Sequence, residues 1–591
     1  MTQVDEKPVV DASSMNAPPP RARWTSVKTR NSLFAVFAVI ITGIILALVI
    51  YPVGAMLVRI YFPSGAFNSG AFSDVFSSSG VHKSMINTLI VVVLSGAFAL
   101  IIGALFAWLN ERTDATLGAI GAILPLVPFL MPPIAMSAGW IFLADPRTGT
   151  LNVALRALLG PLGYGGTQGP LNIESWPGLI YVYTIYLVPF VYVVLSSAFR
   201  SIDPALEEAS RTSGAGLLRT IRLVALPTLR PAIVSAAVLA VVFGTSVVSI
   251  PLLVGTGAKI DVVPVDIVHL MQRYPPETDQ AVTLGLLISI IVLAAWSLQR
   301  RTVKHNRHAT IGSGRIGSGA RVRLGKWRWI ARAAMIVYLL LVSVLPFLAL
   351  ALVALQPFWS PDIKLSDLSF DNFTALLGSD SIARQSIVNS VVLALIGATV
   401  GMAVVVVLII YTRERSGRLG TVSDFVTKVP AGIPHIVVGV AFLLAFAGSP
   451  FGLYGTPLLL LLAYITVYLP QASVAAGAAY DQVGRAVVEA SRVSGADQTR
   501  TLLKVQAPLM LPGIVGGWTL LFVLMAGELN SSVILASPTT PVVGFIFLSI
   551  WENGTYSQLA ALGTITSIVS GILVSLIVLR SRISAGAMGS Q

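Results

Sequence analysis

Hydrophobic positions fall along this chain in long unbroken runs rather than in alternation or in a narrow helical stripe. A helix needs about 20 apolar residues to cross the hydrocarbon layer of a bilayer. Runs of that length occupy 32–57, 86–109, 118–143, 178–198, 231–254 and 281–298. After a polar interruption they resume at 330–355, 387–411, 429–447, 455–478, 510–536 and 558–579. The pattern predicts an all-α polytopic membrane protein of about 12 transmembrane helices. Its polar gaps divide the chain into a tail (1–31), a first half (32–298), a Gly/Ser-containing basic linker (299–329) and a second half (330–591).

The two halves repeat one another. Asn87-Thr88-Leu89 opens one run and Asn389-Ser390-Val391 opens its counterpart 302 positions later. Pro128-Phe-Leu-Met-Pro132-Pro-Ile134 answers Pro430-Ala-Gly-Ile-Pro434-His-Ile436 at the same offset. These prolines each remove a helix hydrogen bond and predict kinked spans. Beyond Pro189 the offset drops to 281, so the first half carries 21 extra residues, placed in the polar stretch 145–177. A short helix is expected there around Val153–Leu159. Parallel six-span repeats imply a pseudo-twofold axis along the membrane normal, with a pathway between the halves.

Between the apolar runs lie two matching islands. One reads Glu208-Ala209-Ser210, three residues, Gly214, nine residues, Val224-Ala225-Leu226-Pro227. The other reads Glu489-Ala490-Ser491, three residues, Gly495, nine residues, Val505-Gln506-Ala507-Pro508. Each predicts two short helices hinged at a glycine, which tolerates a bend that a Cβ resists. Asp203-Pro204 is a helix opening, since Asp accepts orphan N–H groups and Pro suits the first helical position. In the first island Leu217, Leu218, Ile221, Val224 and Ala225 share one face, and Arg219 and Arg222 share another.

This spacing resembles the Glu-Ala-Ala-x3-Gly-x9-Ile-x-Leu-Pro motif of binding-protein-dependent ABC importer permeases. Ser replaces the second Ala in both copies, Val replaces Ile, and Ala507 stands where the pattern has Leu. The resemblance covers nearly the whole chain and implies a type I importer fold with two permeases fused. It implies that Glu208, Ala209, Gly214, Glu489, Ala490 and Gly495 belong to coupling helices that dock into two copies of an ATP-binding subunit. It also implies an extracytoplasmic solute-binding protein as partner. Fused permeases of this layout are similar to the ferric-iron group, whose relatives include thiamine and phosphonate permeases; polyamine is a further alternative. The run Pro132-Pro133, Gly139-Trp140-Ile-Phe-Leu143 and Pro146-Arg147-Thr-Gly149-Thr-Leu-Asn152 resembles the iron-type pattern.

Composition narrows the classes. Of 591 residues, 55% are hydrophobic and 11% charged, where soluble domains carry about a quarter charged. If the tail, both islands, the linker, the C-terminus and the turns near Arg112 and Arg413 face the cytoplasm, that side holds 30 of the 39 Lys and Arg residues. The positive-inside rule then puts both termini in the cytoplasm, and the resemblance implies a bacterial inner membrane. The basic linker fits an anionic leaflet rather than nucleic acid. Absence of cysteine excludes disulfides and thiolate metal sites. Five scattered histidines show no metal-ligand spacing, and no cofactor is implied. Gly325-Lys326 is followed by Trp327 and lacks the upstream glycine of a phosphate-binding loop, so ATP hydrolysis is expected on a separate subunit.

A second class, an ATP-independent secondary transporter, also fits twelve spans. It needs charged residues deep in the spans, and Glu528, in Met525-Ala-Gly-Glu528-Leu-Asn530, is nearly alone there. Its first-half counterpart is Val247. Glu528 is either a pathway group or a helix-end carboxylate held by backbone groups or an Arg. Tyr181, Tyr183 and Tyr186, on one span, are expected to pack rather than bind.

Overall fold

The computed structural model describes residues 27–118, 121, 124–163, 165–305, 321–379, 381–414 and 417–588. Most of the expected tail and the middle of the linker therefore lie outside the described residues. Among the described residues the chain is helical, with two isolated β-bridges and no ladder. The first half contains α1 (Val27–Tyr61), α2 (Ser79–Arg112), α3 (Pro133–Ala144), α4 (Trp176–Ser201), α5 (Pro204–Thr212), α6 (Leu226–Ser246), α7 (Val263–Gln272) and α8 (Thr278–His305). The second half answers with α9 (Trp327–Leu339) continuing into α10 (Leu345–Leu355), then α11 (Ile382–Glu414), α12 (His435–Phe446) and α13 (Pro457–Asp481). It closes with α14 (Arg485–Val493), α15 (Ala507–Ala526), α16 (Val543–Glu552) and α17 (Tyr556–Met588).

Among the described residues ten helices are long and apolar enough to cross a membrane, or eleven if a bent pair counts as one crossing. The two expected spans that are not straight are the third of each half. In the first, a 3-10 stretch over Leu124–Leu130 precedes the short α3. In the second, Arg418–Gly432 and α12 meet at 106°. Pro128, Pro132 and Pro133 interrupt one and Pro430 and Pro434 the other, each lacking the N–H that would continue the ladder. Two further spans stop earlier than hydropathy suggests. α6 ends at Ser246 rather than near 254, where the Thr245 and Ser246 hydroxyls donate back to Val241 and Val242 carbonyls. α15 ends at Ala526 with Gly527 as its cap, so Glu528 lies just beyond the helix and not inside it.

Span surfaces invert the pattern of a soluble helix. On α2 the outward stripe is Ile86, Leu89, Ile90, Val93, Ile101 and Leu105, exposed in the protein alone and suited to lipid. Its inner face carries Ser84, Asn87, Thr88, Ser95, Gly96 and Gly103. Small residues let spans approach closely where no hydrophobic force between helices exists in lipid. At Gly103 a Cβ would stand 2.7 Å from Val191 of α4.

The repeated Asn-Thr and Asn-Ser pairs acquire a structural role. Asn87 Nδ2 donates to the Asp261 carbonyl at 2.9 Å, and Thr88 Oγ1 accepts from Val263 N–H at 2.9 Å. Asn389 Nδ2 donates to the Pro541 carbonyl at 2.8 Å, and Ser390 Oγ accepts from Val543 N–H at 2.8 Å. Each pair fastens the start of a short helix, α7 or α16, to the second span of its half. Those helix starts carry orphan N–H groups that need an acceptor.

Opening spans are exchanged between halves. α1 packs against α12 and the helix Arg418–Lys428 before it, with Thr42 and Ser423 hydroxyls 2.8 Å apart and Arg59 donating to the Leu444 carbonyl at 3.3 Å. α10 packs against α3 so closely that a Cβ on Gly139 would meet the Pro346 carbonyl oxygen at 2.6 Å. The extra 21 residues of the first half form a self-fastened loop. Its helix, Thr150–Leu159, is tied by Arg156 donating to the carbonyls of Pro146, Arg147 and Thr167.

Candidate functional site: twin hinged loops and an inter-half cavity

Both islands fold as two helices around a glycine. α5 is followed by Gly214 at φ +83° and a second helix from Leu217; α14 is followed by Gly495 at φ +85° and a second helix from Gln498. A built Cβ would meet nothing within 4 Å at either glycine. The requirement is therefore the left-handed backbone, which a side chain disfavours, and not space. Asp203 Oδ1 accepts from Ala205 N–H at 3.0 Å, the expected cap. The motif serines set the hinge angle: Ser210 and Thr220 hydroxyls are 3.0 Å apart, as are those of Ser491 and Thr501. Glu208, Ala209, Gly214, Glu489, Ala490 and Gly495 are all exposed. So are Leu206, Leu223, Val487 and Leu503. Two equivalent, partly apolar surfaces stand open on the protein.

The first loop is fastened to its half by α2. Arg112 Nη2 donates to the Ile202 carbonyl at 2.8 Å and stands 3.7 Å from Glu207. Arg200 lies 3.8 Å from Glu111, which accepts from Ser196 Oγ at 2.5 Å. In the second half Arg413 pairs with Asp481, just before the loop, at 2.8 Å.

Glu528 is 3% exposed and held from several sides. Its Oε1 accepts the Ser531 N–H at 3.0 Å and the Ser531 hydroxyl at 3.2 Å; its Oε2 accepts the Tyr468 hydroxyl and lies 3.5 Å from His435 Nδ1. The Tyr464 and Ser532 hydroxyls are 2.6 Å apart, and Ser532 donates to the Glu528 carbonyl at 2.6 Å. Of the expected structural holders the backbone is present; the ring beside the carboxylate is a histidine, and no arginine pairs with it among the described residues. Sequence reading missed His435 and Tyr468. The only signal was positional: His435 stands where the repeat has Pro133, beside a kink.

Of these groups His435, Tyr468 and Glu528 line a cavity of about 80 Å³ between the halves. One wall is aromatic and comes from the first half: Phe129, Tyr186, Phe190 and Phe243, with Phe190 and Phe243 stacked at 3.8 Å. The opposite wall is polar and comes from the second half: His435, Tyr468, Glu528 and Asn530. Asn530 Oδ1 accepts from Val248 N–H at 2.9 Å and so ties the walls together. Val247, the counterpart of Glu528, is buried at 1% exposure. The two cavity walls therefore differ in chemistry despite the repeat. Tyr183 packs inside, Tyr181 meets Trp140 edge-on at 4.8 Å, and Tyr186 reaches the cavity.

The run Pro146–Asn152 is architectural. Asp145 Oδ1 accepts from Arg147 N–H, Thr148 N–H and Thr148 Oγ1 at 2.7–2.9 Å. Asn152 is fully buried and bridges the Asp145 and Leu171 carbonyls. Among the described residues no group of three His, Cys, Asp or Glu side chains could hold a metal ion.

Comparison with known proteins agrees with this architecture. The profile of the binding-protein-dependent transport system inner membrane component matches residues 96–301 and again 406–584, more than half of the chain. The ferric transport system permease protein FbpB of Actinobacillus pleuropneumoniae is 23% identical over 88% of this chain and 74% of its own length. The putative ferric transport system permease protein FbpB 1 of Haemophilus influenzae is 22% identical over 85% of this chain and 78% of its own. The spermidine/putrescine transport system permease protein PotC of Haemophilus influenzae is 27% identical over 35% of this chain and 80% of its own. With its doubled profile, its membrane spans and its paired hinged loops, the chain belongs to the binding-protein-dependent transport system inner membrane components, as an ABC importer permease that carries the family domain twice.

Proposed function

We propose that this permease carries ferric iron, delivered by an extracytoplasmic binding protein, into the cytoplasm, driven by two ATP-binding subunits seated on the Gly214 and Gly495 loops. The observation that carries the reading is the equivalence of those loops: φ +83° and +85°, with a 3.0 Å hydroxyl pair in each. Two like surfaces suit two copies of one partner. The islands and both termini then face the cytoplasm, as the basic residues require. The chain itself is the translocation subunit and leaves hydrolysis to its partners.

Iron is favoured by the relatives that align along most of the chain, whereas the polyamine permease aligns with about a third of it. The polar cavity wall, with its buried carboxylate, suits a cation. Proteoliposomes holding this permease, its ATPase and its binding protein should accumulate ferric iron on adding ATP. Accumulation of spermidine with no iron uptake would overturn the substrate, and failure of an ATPase subunit to co-purify would overturn the docking assignment.

A further inference from the structure

The start of α9 combines features that the importer mechanism leaves unused. Trp327 is 69% and Trp329 60% exposed, with Ile330 beside them. They stand at the end of a long membrane span, where amphipathic rings sit at headgroup level. Arg321, Arg323, Lys326 and Arg328 crowd the same turn and are exposed. Among the described residues none of the four has a carboxylate within ion-pair distance. The Arg328 and Arg332 guanidinium carbons lie 5.3 and 5.1 Å from the Trp329 ring centre. The result is a cationic rim around an aromatic floor.

This rim is one backbone step from the first docking loop. Val322 N–H donates to the Arg112 carbonyl at 2.8 Å, and the Val322 carbonyl accepts from Asp114 N–H at 3.1 Å. Leu324 N–H donates to Asp114 Oδ1 at 2.9 Å, and Arg332 Nη2 donates to the Asp114 carbonyl at 3.0 Å. The same Arg112 reaches with its side chain to Ile202 and Glu207, at the root of α5. Backbone and side chain of one residue thus join linker end to docking loop.

We propose that the turn Arg321–Trp329 is a binding site for an anionic phospholipid headgroup, and that its occupancy steadies the first docking loop through Arg112. Phosphate oxygens match unpaired guanidinium and ammonium donors, while Trp327, Trp329 and Ile330 enter the acyl boundary. An anionic leaflet attracts basic segments at a span's end; here the attraction is focused on one turn and transmitted. The transmission rests on the ATPase-docking reading of the loops, whereas the lipid site does not.

The test uses the full chain in nanodiscs containing phosphatidylglycerol or phosphatidylcholine with brominated acyl chains. Quenching by each lipid is taken as the difference between wild type and Trp327→Phe/Trp329→Phe, which removes the signal of the other tryptophans. Brominated phosphatidylglycerol should quench these two several-fold more effectively than brominated phosphatidylcholine at equal fraction. Arg321→Gln/Arg323→Gln/Lys326→Gln/Arg328→Gln should abolish that preference. Equal quenching by both lipids, or a preference that survives the fourfold variant, overturns the site. In proteoliposomes of the complete importer, anionic lipid should raise the ratio of solute moved to ATP hydrolysed in wild type and not in the fourfold variant. An unchanged ratio in wild type overturns the link to Arg112 while leaving the quenching result to judge the site.

Discussion

His435 Nδ1 stands 3.5 Å from Glu528 Oε2, joining the bent third span of the second half to the turn after its fifth. Both groups line the cavity between the halves. A carboxylate at membrane depth is expensive and functional sites retain it, yet this one is also saturated by Ser531 and Tyr468. Pathway and anchoring roles can be separated by substitution.

Glu528→Gln keeps an oxygen for the two Ser531 donors and removes the charge. Uptake is expected to slow several-fold, with abundance and ATPase binding unchanged. Glu528→Ala removes the acceptor of the Ser531 N–H and hydroxyl, at about 1–3 kcal/mol for each buried group left unpaired, and should lower both abundance and melting temperature. Wild-type uptake by the Gln variant at wild-type abundance would remove Glu528 from the pathway.

The hinge glycines should show a graded response. Ala at Gly214 or Gly495 meets no neighbour and carries only the left-handed backbone penalty, about 1–2 kcal/mol, so uptake should fall modestly. Pro cannot adopt φ +83° or +85° at all. Gly214→Pro and Gly495→Pro should insert normally but lose uptake while hydrolysis by the ATPase continues or its docking fails. Full uptake in both Pro variants would sink the docking assignment.

How legible was this in the sequence? The ten unbroken spans of the described residues follow from bilayer thickness alone, and the hinged loops from two glycines at a fixed distance from Glu-Ala-Ser. Pro132 and Pro434 announced kinks but not their size, because a missing hydrogen bond permits bending without setting the angle. Hydropathy also cannot say which span meets which, since lipid and protein faces are alike apolar; the contact of Gly139 with Pro346 came only from the structure. Asn87 and Asn389 were visible as a repeat whose purpose needed the carbonyls of Asp261 and Pro541. His435 was hidden because its partner lies 93 positions away on another element.

Topology can be read chemically, since the native chain has no cysteine. Leu162→Cys, at a position 81% exposed in the extra loop, should react with an impermeant thiol reagent on intact cells. Val493→Cys, 88% exposed beside the Gly495 hinge, should react only after the membrane is opened. The reverse pattern would invert the orientation, and equal labelling of both would break the span assignment.

Contact between the halves at α3 and α10 should be intolerant of volume. Gly139→Val places its Cβ within 2.6 Å of a backbone oxygen that cannot rotate away. Overpacking of this kind costs about 1–3 kcal/mol. Detergent-solubilised protein should show a lower melting temperature and greater protease sensitivity near the linker, and an unaltered melting curve would show that the two spans separate freely.

The exchanged first spans set a timetable for biogenesis. Thr42 and Arg59 of α1 meet Ser423 and Leu444, 381 and 385 positions later in the chain. At a synthesis rate of about 5–20 residues per second, α1 waits roughly 20–80 s for its partner to leave the ribosome. α10 has no such delay, because α3 is already in the bilayer when it emerges. A nascent first half is thus stranded with one unsatisfied helix, exposed for that interval to other chains and to membrane proteases. Emergence of α12 and the segment just before it is what closes the window.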